Sequence, residues 1–191
     1  MKKTAITYWL IPAEPAHSFF EKTIEDLAGR YDAPVFEPHM TIYVGPDRLS
    51  VAEELIAKAA AYCGRLEAKM LGIGHSGEFT KTLFVQFALN AKLIRLNEVI
   101  RHTTRGSTDY QFKPHVSLLY KKMPVTSRRA LADSIKLPFT RVVFHSIKAV
   151  RCILPTRSRG HVEAWCVVAA ASLAAQFDRR LTQTPYSSMS R

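Results

Sequence analysis

The order of the chain predicts a mixed α and β fold built from a duplicated strand–helix–strand unit. Three observations carry that expectation. FEPHMTIYV (36–44) and FKPHVSLLY (112–120) share one skeleton: Phe, any residue, Pro, His, an apolar residue, a hydroxyl residue, then apolar residues. Each phrase lies one helix and one turn beyond a strand, 29 residues from Leu10 to His39 and 26 from Leu89 to His115. Around the phrases, β-branched and aromatic segments alternate with segments whose apolar residues fall at helical spacing.

The elements follow in order. TAITYWLI (4–11) reads as a strand, and AHSFFEKTIEDLAGRY (16–31) places Phe19, Phe20, Ile24 and Leu27 on one helical face. The His39 phrase reads as the next strand. Ser50 and Glu53 form a capping-box pattern that opens the helix VAEELIAKAAAYC (51–63), and RLEAKMLGI (65–73) is a weaker strand. TLFVQFAL (82–89), AKLIRLNEVIRHTTR (91–105) and the His115 phrase then repeat strand, helix, strand. TSRRALADSI (126–135) predicts another helix, FTRVVFHSIKAVRCI (139–153) a long strand and HVEAWCVVAAASL (161–173) a closing strand. One domain over 1–175 is expected, followed by a tail from Gln176 that loses apolar periodicity and is expected to be mobile.

At 191 residues and 47% hydrophobic content, the chain suffices for one sizeable core or two small lobes sharing one. Its longest apolar runs, such as VEAWCVVAAASLAA, fall short of the roughly 20 residues a bilayer span needs, and that run carries Glu163. The basic start MKKTAITYWLIPAEP has a short apolar stretch broken by Pro12 and no small-residue cleavage site. No membrane partner and a cytoplasmic location are therefore expected. Cys63, Cys152 and Cys166 form no C-x-x-C pair, so neither a disulfide framework nor a zinc site is indicated, and buried free thiols are expected. A formal charge of +11 raises the local concentration of polyanions and phosphorylated ligands. That charge bounds the partner and leaves the reaction open.

Side chains alternate along a strand, so His39 and Thr41 share one face, as do His115 and Ser117. Pro38 and Pro114 suit a strand's first residue, where no ladder donor is needed. If the two units are related by a pseudo-twofold, two histidines and two hydroxyls surround one small ligand. With seven histidines, and 27 Ser and Thr in 191 residues, about one H-x-[ST] arises by chance. Three occur, and His102-Thr103-Thr104 at a helix end, without the Pro and the apolar run, is the chance one.

At PHMTIYV and PHVSLLY, 76 residues apart, and at the opening YWLIPAEP, the chain resembles the two-histidine phosphoesterase superfamily. Within it, the likeness is to the cyclic phosphodiesterases that open nucleoside 2′,3′-cyclic phosphates, over roughly residues 5 to 170. The resemblance implies a bilobal α+β fold, with two antiparallel sheets flanking a central cleft and helices outside. It also implies a site without metal or other cofactor, catalysis by His39, Thr41, His115 and Ser117, and a 2′-phosphate product. Superfamily relatives also process tRNA and RNA ends carrying 2′,3′-cyclic phosphates or join them to 5′-hydroxyl ends, so RNA termini stay open as partners. Plant-type members carry paired cysteines for which this chain has no matching set.

The chemistry suits these residues independently. Hydrolysis of a cyclic phosphate needs a base for water and an acid for the departing ribose oxygen, and imidazole, with a pKa of about 6.5, serves as either. Paired hydroxyls can donate to the nonbridging oxygens. Which histidine is base and which acid stays open. By resemblance, Tyr120 stacks on a nucleobase; Trp9, on the strand face of Thr7, is a second candidate for lining the cleft, although both residue types also serve as core. Phe79 and Trp165 are weaker candidates. His17, His75, His145 and His161 share no spacing and are read as solvated or capping residues. A monomeric enzyme acting on small cyclic phosphates is expected, with a non-catalytic nucleotide- or RNA-binding module as the alternative.

Overall fold

The computed structural model describes residues 3–105 and 111–173, so the tail from Gln176 lies outside the described residues. Its strands are β1 (Lys3–Pro12), β2 (Met40–Pro46), β3 (Leu66–His75), β4 (Leu83–Phe87), β5 (His115–Leu119), β6 (Arg141–Leu154) and β7 (Cys166–Ser172). The helices are α1 (Ala16–Tyr31), α2 (Leu49–Cys63), α3 (Ala91–Thr104), α4 (Val125–Ser134) and α5 (Arg159–Glu163), with a single 3₁₀ turn at Phe79–Lys81.

All strand pairs are antiparallel, in the order β1-β2-β5-β4-β3-β6-β7, and β1 also pairs with β6. The sheet therefore has two antiparallel halves, β7-β6-β1-β2 and β3-β4-β5, joined at two seams. At one seam β6 runs from β3 onto β1, pairing Arg141 to Phe144 with Lys69 to Leu66 and then Phe144 to Leu154 with Pro12 to Lys3. At the other, β2 and β5 meet at the single pair Met40↔Val116, each the residue after a phrase histidine.

Within each repeated unit the helix returns the chain antiparallel to its starting strand: β1-α1-β2 and β4-α3-β5. The helices exchange cover, since α1 packs chiefly on β5 and α3 on β2. Asn97 of α3 donates to the Ile42 carbonyl of β2 at 2.7 Å. Each half thus braces the other's site strand, and the duplicated unit is half of one core.

Helix α1 buries Ala16, Phe20, Ile24, Leu27 and Ala28, the stripe expected from its spacing, and Phe20 and Ile24 each supply roughly 1.5–3 kcal/mol by burial. Asp32, at φ 48°, ends it by donating its N–H to the Ala28 carbonyl. At α3 the Asn90 side chain caps the helix by accepting from Leu93 N at 3.0 Å.

Three expectations are corrected. The Ser50/Glu53 capping box does not form: α2 starts at Leu49 with Arg48 as its cap residue and no side-chain cap bond, so Ser50 is already inside the first turn. The closing strand does not begin at His161. Ser158 caps the short helix α5 by accepting from His161 N, and β7 starts only at Cys166. The thiols also divide, with Cys152 buried, Cys63 half-buried and Cys166 exposed on the terminal strand. Among the described residues no helix is long and apolar enough to cross a membrane.

Candidate active site

The Met40↔Val116 seam assembles the site. Continued one residue either way, its antiparallel register sets His39 opposite Ser117 and Thr41 opposite His115. Alternation puts all four side chains on the same face. The four residues chosen from the repeated phrase therefore meet across the two halves of the sheet.

Both histidines are held by the same local device. His39 Nδ1 lies 2.6 Å from the Glu37 carbonyl oxygen, and His115 Nδ1 lies 2.7 Å from that of Lys113, in each case across the intervening proline. A carbonyl oxygen only accepts, so each Nδ1 carries hydrogen, and the neutral ring keeps its lone pair on Nε2. The phrase fixes a tautomer as well as a position.

The walls repeat too. Trp9 is the register partner of Thr41 and stacks on the His39 ring, with centroids 3.7 Å apart and planes at 13°. Phe84 is the partner of Ser117 and meets His115 edge-on at 5.5 Å. Phe84 itself lies close over Gly74, where a Cβ would come within 2.6 Å of its ring, and Lys81 Nζ sits 4.4 Å from the ring centroid. Phe84 was not singled out from sequence, yet a signal existed. It precedes His115 by 31 residues and Trp9 precedes His39 by 30, a closer match than the spacings from Leu89 and Leu10.

The remaining candidates are placed as follows. Tyr120 is buried, stacks on Phe36 at 3.9 Å and 13°, and lies beside Ser117. Trp9 is also buried, so the two aromatics form walls behind the site and neither ring lies open to a base. Trp165, the half-buried ring that closes the cluster, is edge-on to Trp9 at 5.1 Å and to His39 at 5.8 Å. Thr41 is half-buried and its hydroxyl has no partner among the described residues, whereas buried Ser117 donates to the Thr80 carbonyl at 2.9 Å. His102 is exposed in the last turn of α3 and takes no part in the quartet. His17 and His145 line a separate polar chamber.

Burial governs the electrostatics. His39 is 6% exposed, and desolvation pushes its pKa down to about 4; the Glu37 carbonyl works the other way, and the charges of His115 and Lys148 lower it further. His115, half-buried, is lowered as well, first by desolvation and then by Lys81, with the Lys113 carbonyl and Glu78 opposing. The register that sets His39 opposite Ser117 and His115 opposite Thr41 places the two rings on neighbouring strands of one face.

A histidine buried in its neutral form contributes its full stability above the unfolded-state pKa of about 6.5. That contribution is lost as pH falls toward the folded value of about 4, because the unfolded chain takes up the proton first. The melting temperature should therefore drop more steeply from pH 7 to pH 5 in the wild type than in His39→Asn. Parallel curves in differential scanning calorimetry would contradict the neutral, buried His39.

Residues 4–173 match the family described as cyclic phosphodiesterase-like protein. The chain belongs to that family. One relative, the cyclic phosphodiesterase of Arabidopsis thaliana, is 22% identical over 179 residues, covering 91% of this chain and 97% of that one. Among solved structures, TT0787 of Thermus thermophilus superposes with a TM-score of 0.60 at 18% identity, over 91% of this chain and 100% of that chain. LigT of E. coli, in its complex with 3′-AMP, gives a TM-score of 0.52 at 11% identity over 91% and 99%. The fold is that of the two-histidine phosphoesterases, and membership in the cyclic phosphodiesterase-like family makes the protein a phosphodiesterase.

Proposed function

We propose that the protein hydrolyses 2′,3′-cyclic phosphates of nucleosides, or of related ribose cyclic phosphates, to the 2′-phosphate without a metal. The observation that carries this reading is the quartet at the Met40↔Val116 seam, with each imidazole fixed through Nδ1 to the carbonyl two residues back. His39 is the base and His115 the acid. His39 is the more deeply buried and the one driven to about 4, hence neutral at pH 7, while Glu78 favours the proton on His115.

His39 Nε2 takes a proton from water, the resulting hydroxide oxygen bonds to phosphorus, and the bond from phosphorus to O3′ breaks. His115 Nε2–H delivers its proton to O3′, leaving the 2′-phosphate, and solvent exchange restores both rings. Thr41 donates to a nonbridging oxygen directly. Ser117 does so after turning its hydroxyl from the Thr80 carbonyl, an exchange worth about 1 kcal/mol. The crystallised complexes of E. coli LigT with 3′-AMP and with phosphate favour a nucleotide phosphate as the ligand of this fold.

The purified protein should turn over a 2′,3′-cyclic nucleotide in EDTA, with phosphorus NMR showing the 2′-phosphate. Loss on chelation with rescue only by a divalent ion would overturn the metal-free reading, and a 3′-phosphate product would overturn the direction of opening. Plotted against pH, kcat/KM should rise through about 4 as His39 becomes neutral and fall below the ordinary imidazole value of 6.5 as His115 loses its proton.

The +11 charge favours a second reading, RNA termini ending in a cyclic phosphate. Under it an oligonucleotide should exceed the mononucleotide in kcat/KM, and that advantage should fall steeply with salt. Affinity without turnover on either substrate would identify a binding module.

A further inference from the structure

Next to the His39 site, on the side of Glu37 and Lys148, lies a polar chamber of about 590 Å³. Its place follows from the strand register. Trp9 and Ile11 lie on the same face of β1, and their partners on β6 are Lys148 and Ser146; Ile11, Ser146 and Lys148 all line the chamber. The chamber therefore begins two strand residues from the Trp9–His39 stack, about 6.6 Å, a separation on the scale of one ribose. Glu37, whose carbonyl holds His39, sends its carboxylate into the same space.

The charges in the chamber are unevenly committed. The Glu37 carboxylate is paired with Lys148 at 2.5 Å, and the Glu14 carboxylate accepts from both the backbone N–H and the hydroxyl of Ser18, with His17 Nδ1 at 3.8 Å. Both acids are thereby answered. Arg65 has no carboxylate partner among the described residues, and His145 Nδ1 is buried without a hydrogen-bond partner. A guanidinium without a counterion, an orphaned ring nitrogen and the Ser146 hydroxyl, gathered in a cavity next to a phosphate-cleaving centre, form a donor set suited to a tetrahedral oxyanion.

We propose that this chamber is a second phosphate subsite, taking a phosphate on the ribose 5′ oxygen of a substrate whose cyclic phosphate lies between His39 and His115. The inference rests on the function proposed above and narrows its substrate to one that carries two phosphates. Arg65 holds the 5′-phosphate by its fork of N–H groups, and His145 with Ser146 completes the contact.

The test compares kcat/KM for a nucleoside 5′-phosphate 2′,3′-cyclic phosphate with that for the unphosphorylated nucleoside 2′,3′-cyclic phosphate. Calorimetry in parallel compares a nucleoside 2′,5′-bisphosphate with the 2′-monophosphate. In the wild type the 5′-phosphate should raise kcat/KM and affinity about tenfold or more, the effect of one or two charge-assisted hydrogen bonds. Arg65→Gln, at an exposed position where folding is not at risk, should remove much of that ratio, and Arg65→Gln with His145→Gln should bring it near unity. Equal values for both substrates in the wild type, or a preference that survives the double variant, overturns the subsite. Tighter bisphosphate binding that depends on Arg65, with neither cyclic phosphate hydrolysed, would retire the enzymatic reading and leave the subsite standing.

Discussion

Alanine at His39 or at His115 is expected to lower turnover of a 2′,3′-cyclic nucleotide by on the order of 10²–10⁴, the range of one lost proton-transfer partner. The two losses should not multiply. In the proposed mechanism both rings serve one phosphate at the Met40↔Val116 seam, so once either is gone the other has little left to do, and the double variant should fall well short of the product. The pH profile separates the roles: His39→Ala should lose the limb near about 4, and His115→Ala the limb on the alkaline side. Two controls bracket the result. Thr41→Ala deletes a hydroxyl without touching an acid or base and should cost less, with part of the loss in KM. His102→Ala, at the exposed end of α3, should leave turnover intact. A large loss at His102 with little at His39 or His115 would show that the repeated phrase marks sheet architecture.

How much of this could be read from the sequence depends on whether the cause is local. The quartet was legible because its determinants sit within a few residues of one another: alternation fixes the face, and Pro38 and Pro114 hold Glu37 and Lys113 extended on the approach to each histidine. Helix α1 was legible to both ends for the same reason, its stripe from Ala16 to Ala28 being uninterrupted. What was hidden depends on contacts distant along the chain. The exchange of cover between α1 and α3 arises only when both halves are folded together, and no periodicity within one half announces it. Ser117 was read as free for phosphate because nothing nearby shows the Thr80 carbonyl, 37 residues away, that takes its hydrogen. The closing segment was misread because HVEAWCVVAAASL is largely apolar from end to end. Ser158, three residues before His161, supplies the cap that turns its start into α5 and sets Trp165 against His39.

Trp9→Ala should be the most damaging substitution outside the histidine pair, and the form of the damage distinguishes a wall from a substrate shelf. The indole is 4% exposed, so removing it should cost about 3–5 kcal/mol of stability, a large share of the roughly 5–15 kcal/mol typical of a domain. It also removes the flat surface on which the His39 ring lies at 3.7 Å, leaving the bond from Nδ1 to the Glu37 carbonyl as the ring's main restraint. One hydrogen bond fixes a pivot but not a plane, so Nε2 should wander, and a displacement of about 1 Å at a proton-transfer atom can cost on the order of 10² in rate. The loss should therefore fall on kcat, with KM little changed, and should be the same for adenosine, guanosine, cytidine and uridine substrates. Trp9→Phe, which keeps a ring to stack on His39, should fold more stably than Trp9→Ala and recover most of the turnover. A base shelf would behave oppositely: KM would rise, and by different factors for purines and pyrimidines. That pattern, measured on Trp9→Phe at a temperature where it is folded, would show that Trp9 opens toward the ligand and would leave His39 to be oriented by the Glu37 carbonyl and by the edge-on rings of Trp165 and Phe36.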